Sequence, residues 1–311
     1  STMPGAAGSS WYFLRYIDPK NENEIANKKL LEHWLPVDLY VGGPEHAVGH
    51  LLYSRFWNNY LYNKNIVPVK EPFQTLRHQG MILGPNGEKM SKSKGNVINP
   101  DDMVKQYGAD SLRIYEMFMG PIESAKPWDI NGIEGSKKFL DRVWRIYAES
   151  DKIQEKENKN LERIYHFTVK KVTNDYETMN FNTAVSQMMI FINTVSKEEI
   201  FPKEYAEGFL KILNPIAPHI TEELWNTVFG NNGTMAYSSW PTYDEEKAID
   251  TQVTLPIQIN GKLRETITIN LDEEEEIVKE KVHNAISEKL KGKNIVKEIY
   301  VKNKIYNIVM K

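Results

Sequence analysis

The sequence predicts an α/β unit, then an all-α helical bundle, then a small α+β unit. An apolar run, "VDLYVGG" at 37–43, stops at two glycines and passes directly into helical periodicity. That periodicity recurs from 136 to 229. Near the end, "LPIQINGKLRETITI" alternates apolar and polar residues on both sides of Asn260-Gly261, a strong signal for a hairpin with a type I′ turn.

Composition agrees with a globular chain. Its 311 residues are 41% hydrophobic and 11% aromatic, enough to bury a sizeable core in two or three domains. The formal net charge is −3, so any contact with nucleic acid has to come from local patches. Cysteine is absent, which excludes disulfides, thiolate metal sites and cysteine nucleophiles and fits a reducing cytoplasm. No apolar run approaches the ~20 residues that span a bilayer, and "STMPGAAGSSWYF" lacks the charged start of a signal peptide, so neither membrane nor secretion is indicated.

The chain opens on "MPGAAGSSW", a loop of turn formers with no element before it, which suggests further sequence upstream. A polar stretch, "DPKNENEIANKKLLEHWLP", leads to the strand at 37–43, which reads as a buried parallel strand. "PEHAVGHLLYSRFWNNYLY" follows as a helix with Pro44 at its first position. In an open α/β sheet such a junction lies at the carboxyl end of a strand, where ligands bind and helix N-termini favour anions. His46 and His50 are four apart and are expected on one face of this helix, with Glu45 and Tyr40 nearby. A zinc half-site, a packed histidine pair and a ligand contact all fit the spacing. The glutamate of H-E-x-x-H and a third ligand are lacking, and the place beside the strand end favours ligand contact.

A second apolar run, 81–83, feeds a Gly-Pro-Asn-Gly turn and then "EKMSKSKGN", residues 88–96. Lysines 89, 92 and 94 and serines 91 and 93 crowd this loop. On composition it fits a solvated turn; held together, its lysines suit phosphoryl or nucleotidyl chemistry, where charge spreads over phosphate oxygens. A helix from about 101 to 119, capped by Asp101 or Asp102, carries Met103, Leu112, Tyr115 and Met119. Helical segments are expected at 136–149, 160–178, 181–196, 205–213 and 219–229, broken at Pro215 and Pro218, with Trp144, Phe167, Met188, Met189, Phe191 and Trp225 as core. Residues 241–251 read as a polar linker, and 252–311 as the hairpin, a helix over 273–291, and strands near 295–301 and 305–309. The acidic run Asp272 to Glu276 suits a helix N-terminus. From Ile277 to Lys311, nine lysines face three glutamates, which fits a solvated face or an RNA contact.

The stretch "EKMSKSKGNVINPDDMVKQYGADSLRIYEMFMGP" resembles the KMSKS loop and following helix of class I aminoacyl-tRNA synthetases, and Lys89, Met90, Ser91, Lys92 and Ser93 match that pentapeptide without substitution. "MPGAAGSSWYFLRY", "HWLPVDLYVGGPEHAVGHLLYSRFW", "HQGMILG", "MNFNTAVSQMMIFIN", "LNPIAPHITEELW" and "IQINGKLRETITI" stand in the order expected of bacterial leucyl-tRNA synthetases, across essentially the whole chain. Valyl and isoleucyl enzymes share the pentapeptide and a related helical domain, but "VDLYVGGPEHAVGHLLY" and the "INGKLR" hairpin are similar to the leucyl branch.

The resemblance implies the second part of a Rossmann-type catalytic domain over 1–120, an anticodon-binding-type helical domain over 121–240 and a tRNA-binding unit over 252–311. It implies activation of leucine by ATP with Mg, transfer to tRNA(Leu), and a cytoplasmic enzyme. Lys89 and Lys92 would contact the ATP phosphates, with Met90, Ser91 and Ser93 in the same loop. Gly43, Glu45 and Gln79 would line the nucleotide side. Ser9, Tyr12, Tyr40, His46 and His50 would surround the amino acid, and Lys289, Lys291 and Lys293 would reach the tRNA elbow; no zinc or other metal site is expected. Two departures stand out. The family's HxGH motif and editing domain are not in this sequence, so the isolated chain is expected to be inactive without an amino-terminal portion, and "GPNGE" replaces a longer insertion. A tRNA-binding module without catalysis is the competing reading.

Overall fold

The computed structural model describes residues 6–249 and 252–311; "STMPG" and positions 250 and 251 of the expected linker lie outside these. The chain divides into two compact units, residues 1–157 with 171–241, and residues 158–170 with 242–311.

The first unit opens with three short helices, α1 (Ala6–Ser9), α2 (Tyr12–Ile17) and α3 (Lys28–Trp34). Asn27 caps α3 by accepting from the Lys29 N–H at 3.0 Å. Strand β1 (Val37–Gly42) pairs in parallel with β2 (Phe73–His78), Val37 facing Phe73 and Gly42 facing His78. Parallel strands need a crossover, and α4 (His50–Asn63) supplies it. Phe13, Leu14, Leu31, Leu35, Leu61 and Val67 form the core these elements share. Strand β2 is not expected from "FQTLRH", which has neither an apolar run nor clean alternation.

The single helix expected after the double glycine is two pieces. Pro44–His46 makes a 3-10 turn, and α4 begins only at His50, because Gly49 takes a non-helical conformation (φ −122°, ψ −95°). His46 and His50 therefore do not share one helix face, although their rings lie 6.2 Å apart.

Strand β3 (Ile82–Leu83) leads into the lysine loop and pairs in parallel with β4 (Lys126–Pro127). The helix expected at 101–119 is also two, α5 (Pro100–Tyr107) and α6 (Ala109–Phe118), separated by Gly108 at φ +89°. Its cap is Asn99 rather than Asp101 or Asp102: Pro100 takes the first helical position, and the Asn99 side chain accepts from the Asp101 N–H at 3.1 Å.

The bundle follows with α7 (Ile130–Ala148), α8 (Lys159–Glu177), α9 (Phe181–Val195), α10 (Lys203–Leu213) and α11 (Pro218–Thr227). A two-residue parallel pair, β5 (Ile153–Gln154) with β6 (Phe201–Pro202), bridges two of its loops. Met188 and Phe191 are fully buried, as expected, while Phe167, Met189 and Trp225 are half-buried. Trp144 is 36% exposed, so it is not core; the inward face of α7 is taken by Phe139, Leu140, Val143, Ile146 and Tyr147. Helix α6 is fastened to this bundle. Arg113 donates to the Ile216 and Pro215 carbonyls at 2.8 and 2.9 Å, and Asp110 accepts from the backbone N–H groups that open α11.

The second unit is a four-stranded sheet in the order β8-β7-β10-β9. Strands β7 (Gln252–Ile259) and β8 (Lys262–Asn270) form one antiparallel hairpin, and β9 (Ile295–Val301) with β10 (Ile305–Met310) the other, β10 lying parallel to β7. Asn260 and Gly261 both have positive φ, 50° and 76°, as the type I′ turn requires. The helix expected over 273–291 is α12 (Glu275–Ala285) followed by a short α13 (Ser287–Leu290). Val278, Val282 and Ile286 pack on Leu255, Ile257, Tyr306 and Ile308 of the sheet. The stretch read as linker is partly held within this unit: Ala248 is buried, Lys247 pairs with Glu162 at 2.6 Å, and the Asp244 N–H donates to His166 Nδ1 at 3.1 Å.

Candidate active site

A cleft of about 480 Å³ opens at the carboxyl ends of β1 and β2, where the Gln79 N–H donates to the Gly42 carbonyl at 3.2 Å. It brings together Ser9, Tyr12, Tyr40, Gly43, His46, His50 and Gln79, residues separated by up to seventy positions and expected together only through the resemblance. Glu45 lies beside it: its carboxylate folds over Gly43, where a Cβ would stand 2.2 Å from Oε2. Val41, Leu51 and Leu76 also line the cleft and were missed. Val41 could have been found from its place at the strand end; Leu76 could not, because its strand was unrecognised.

Polar groups inside the cleft form a chain. The Tyr12 and Tyr40 hydroxyls are 3.0 Å apart, the Tyr40 hydroxyl is 2.5 Å from His50 Nε2, and Ser54 Oγ is 3.4 Å from the same nitrogen. Burial, and secondarily the neighbouring His46, push the His50 pKa below that of a free histidine, while burial and the Tyr12 contact push the Tyr40 hydroxyl up. The Tyr40 ring is itself held by stacking on Phe73 at 3.9 Å. The cleft therefore presents aromatic and aliphatic walls with a few convergent hydrogen-bonding groups, suited to a small apolar side chain with polar groups at one end.

The lysine loop is a separate cluster. Met90 packs against Leu112, Tyr115, Trp128 and Ile133, anchoring the loop on α6 and α7. Residues 92–94 span a 3-10 turn that Ser91 caps by accepting from the Lys94 N–H at 3.3 Å, and the Ser91 and Ser93 hydroxyls lie 3.2 Å apart. Lys94 is paired with Glu88 at 2.8 Å. Among the described residues no carboxylate pairs with Lys89 or Lys92, and both are exposed. The loop thus keeps two of its three cations available.

At the basic end, Lys289 is paired with Glu265 at 3.0 Å and donates to the Arg264 carbonyl, and Lys291 is paired with Glu288 at 2.6 Å. Glu273 and Asp272 likewise take Lys281 and Lys302. Carboxylates outside the counted segment therefore offset part of its positive excess. Lys293 has no such partner among the described residues and is exposed. No group of three His, Asp or Glu side chains converges as metal ligands would among the described residues, and none of their helices is long and apolar enough to cross a membrane.

Residues 19–129 match the family "tRNA synthetases class I (I, L, M and V)", and residues 158–279 match "Anticodon-binding domain of tRNA ligase". The chain belongs to the class I tRNA synthetases. The strand–crossover–strand unit with the lysine loop is part of the synthetase's Rossmann-like catalytic domain, and the bundle is its anticodon-binding helical domain. Among solved structures, this synthetase chain is similar to LeuRS of Agrobacterium radiobacter K84, crystallised as a ternary complex with tRNA and LeuAMS, at 34% identity and a TM-score of 0.71 over 97% of the chain. It spans 42% of the length of that LeuRS. It is also similar to methionyl-tRNA synthetase of Mycobacterium tuberculosis, solved with methionyl-adenylate, at 14% identity and a TM-score of 0.49, covering 68% of this chain and 48% of that one.

Proposed function

We propose that this chain is part of a leucyl-tRNA synthetase, a cytoplasmic enzyme that activates leucine with ATP and Mg and passes the leucyl group to tRNA(Leu). The observation that carries this reading is the 34% identity to LeuRS across 97% of the chain. Val41, Leu51 and Leu76 give the cleft the aliphatic lining that a leucine side chain needs, and the Tyr12–Tyr40–His50 chain supplies hydrogen-bonding groups beside it. Recognition of methylene-sized differences by such walls is worth only ~1–3 kcal/mol.

In the proposed first step, a leucine carboxylate oxygen attacks the α-phosphorus of ATP. A new P–O bond forms as the bond to the bridging α–β oxygen breaks, and pyrophosphate leaves with its Mg. Negative charge builds on the phosphate oxygens, and the ammonium groups of Lys89 and Lys92 stabilise it there. Gly43 lets the nucleotide approach the backbone, Glu45 accepts from ribose hydroxyls, and Gln79 lines the same side. Met90, Ser91 and Ser93 hold the loop in shape. In the second step a terminal ribose hydroxyl of tRNA attacks the leucyl carbonyl, loses its proton, and AMP departs. The free ammonium of Lys293, with Lys289 and Lys291 beside it, would contact tRNA phosphates.

A companion α/β portion bearing an HxGH motif is part of the proposed enzyme. Two parallel strands are too few to stand with both faces open, and Leu39, Val41 and Leu76 are each more than a third exposed, as are Val48, Leu52 and Phe56 around α4. The test is single-turnover adenylate formation in the assembled enzyme. Lys92→Ala should lower the rate by ~10²–10³, equivalent to ~3–4 kcal/mol for one preorganised phosphate contact, with a smaller change in leucine affinity. An unchanged rate would contradict the assigned role, and appreciable leucine activation by the isolated chain would contradict the need for the companion.

A further inference from the structure

Asn96 closes the lysine loop from its far end. Its side-chain Oδ1 accepts from the Ser91 N–H at 2.9 Å, and its Nδ2 donates to the Lys89 carbonyl at 3.3 Å. The two bonds fall on either side of Met90, whose side chain is seated against Leu112, Tyr115, Trp128 and Ile133. One amide thus satisfies a backbone donor and a backbone acceptor two residues apart, as a neighbouring strand would. Lys89 is also bridged in antiparallel fashion to Leu83, so the backbone at 89–91 is gripped from two sides.

Two glycines make room for this arrangement. Gly95, in the left-handed region at φ +64°, reverses the chain so that Asn96 returns over the residues it holds. Gly84 is buried, and a Cβ there would stand 2.9 Å from Asn96 Nδ2 and 3.1 Å from Asn86 Oδ1. Lys94 is held at the loop's base by Glu88.

We propose that Asn96 is the positioning residue of this loop: by tying Lys89 to Ser91 it sets where the ammonium groups of Lys89 and Lys92 meet phosphate, an inference resting on the reading of the loop as ATP-binding. Without it, residues 91–95 keep the short 3-10 turn with its Ser91 cap, the Ser91–Ser93 hydroxyl contact and the exposed Lys94–Glu88 pair, none of which reaches Lys89. Aspartate is not a substitute. It retains an acceptor for Ser91 but turns a carboxylate oxygen toward the Lys89 carbonyl and adds negative charge beside the lysines.

The test has two arms. In the assembled enzyme, Asn96→Ala should speed tryptic cleavage after Lys92 and Lys94 by about 10-fold while leaving the thermal midpoint essentially unchanged, since the bonds lost are local. In the assembled enzyme, Asn96→Ala and Asn96→Asp should lower kcat for leucine-dependent ATP–pyrophosphate exchange by ~10-fold or more with KM for leucine little changed, because the phosphate contacts strengthen in the transition state. Gly84→Ala, which displaces Asn96 without removing it, should reproduce part of both effects. Unchanged protease protection in Asn96→Ala overturns the clamp. Faster cleavage with an unchanged kcat, in an enzyme that Lys92→Ala still inactivates, overturns the positioning role and leaves the proposed function standing. If Lys92→Ala too is silent in exchange, the reading of the loop as ATP-binding falls and the positioning role falls with it.

Discussion

Asp110 offers a direct test of how the loop-bearing part of the catalytic domain is fastened to the helical bundle. Its carboxylate is 7% exposed and accepts from the Ile220 N–H at 2.8 Å, the His219 N–H at 3.3 Å and His219 Nδ1 at 2.8 Å. It therefore caps α11 from a helix more than a hundred residues away in sequence. Removal by Asp110→Ala loses an N-cap interaction, ~1–2 kcal/mol, and leaves a second, longer backbone donor short of a partner, ~1 kcal/mol. The His219 ring is 72% exposed and adds little. The expected total is ~2–3 kcal/mol, a fall in Tm of about 4–12 °C for a unit of this size. Asp110→Asn, which keeps one acceptor, should lose about half, and His219→Ala less than about 1 kcal/mol. Urea and thermal unfolding of the chain would measure all three. A loss under ~1 kcal/mol for Asp110→Ala, or a His219→Ala loss equal to it, would refute the assignment of the stabilisation to the helix cap.

Gly132→Ala should destabilise even though alanine is normally the better helix former: the added Cβ would lie 2.2 Å from the ring of Tyr115, which is itself buried, and overpacking of this kind costs ~1–3 kcal/mol. A stabilised variant in thermal melts would show that Tyr115 moves aside freely. His50 has a folded pKa below its usual value, so its contribution is fully present above the unfolded pKa of ~6.5 and is lost as pH falls through the lower folded value. Between pH 8 and 5 the parent should lose more stability than His50→Gln, and a gap between the two that does not change with pH would contradict this. In tRNA binding by the assembled enzyme, Lys293→Gln should lower the slope of log affinity against log salt by about 1, with Lys289→Gln smaller because Glu265 and the Arg264 carbonyl already occupy that ammonium. Equal slopes for parent and Lys293→Gln would make that lysine part of a solvated face.

What the sequence made legible was local. Asn260-Gly261 specifies its turn because both positions must take positive φ, whereas the KMSKS loop is legible through its match to the family pentapeptide, its composition alone fitting a solvated turn as well. The bundle was readable from periodicity, since one apolar face per helix is all it needs. The misreadings arise where backbone conformation or distant partners decide. Gly49 and Gly108 each split an apparently continuous helical pattern, and Pro100 shifted a cap from aspartate to Asn99. Strand β2 forms because β1 offers it a parallel edge, not because "FQTLRH" favours extension. Trp144 follows the helical period but falls on the outward side of α7. The strand–helix junction pointed to ligand contact near Tyr40, His46 and His50, and the rest of the cleft was expected from resemblance alone. Spacing could not have joined Ser9 to Gln79, or revealed that Tyr40 links Tyr12 to His50.

Amino-acid dependence of ATP–pyrophosphate exchange by the assembled enzyme tests the central claim most directly. With leucine, valine, isoleucine and methionine compared as kcat/KM, leucine should lead isoleucine and valine by ~10–200-fold, the range that methylene-sized differences in an apolar cleft allow. Leu76→Ala, which enlarges the cleft, should narrow that lead. A preference for valine, isoleucine or methionine would contradict the leucyl assignment while leaving the class I synthetase fold in place.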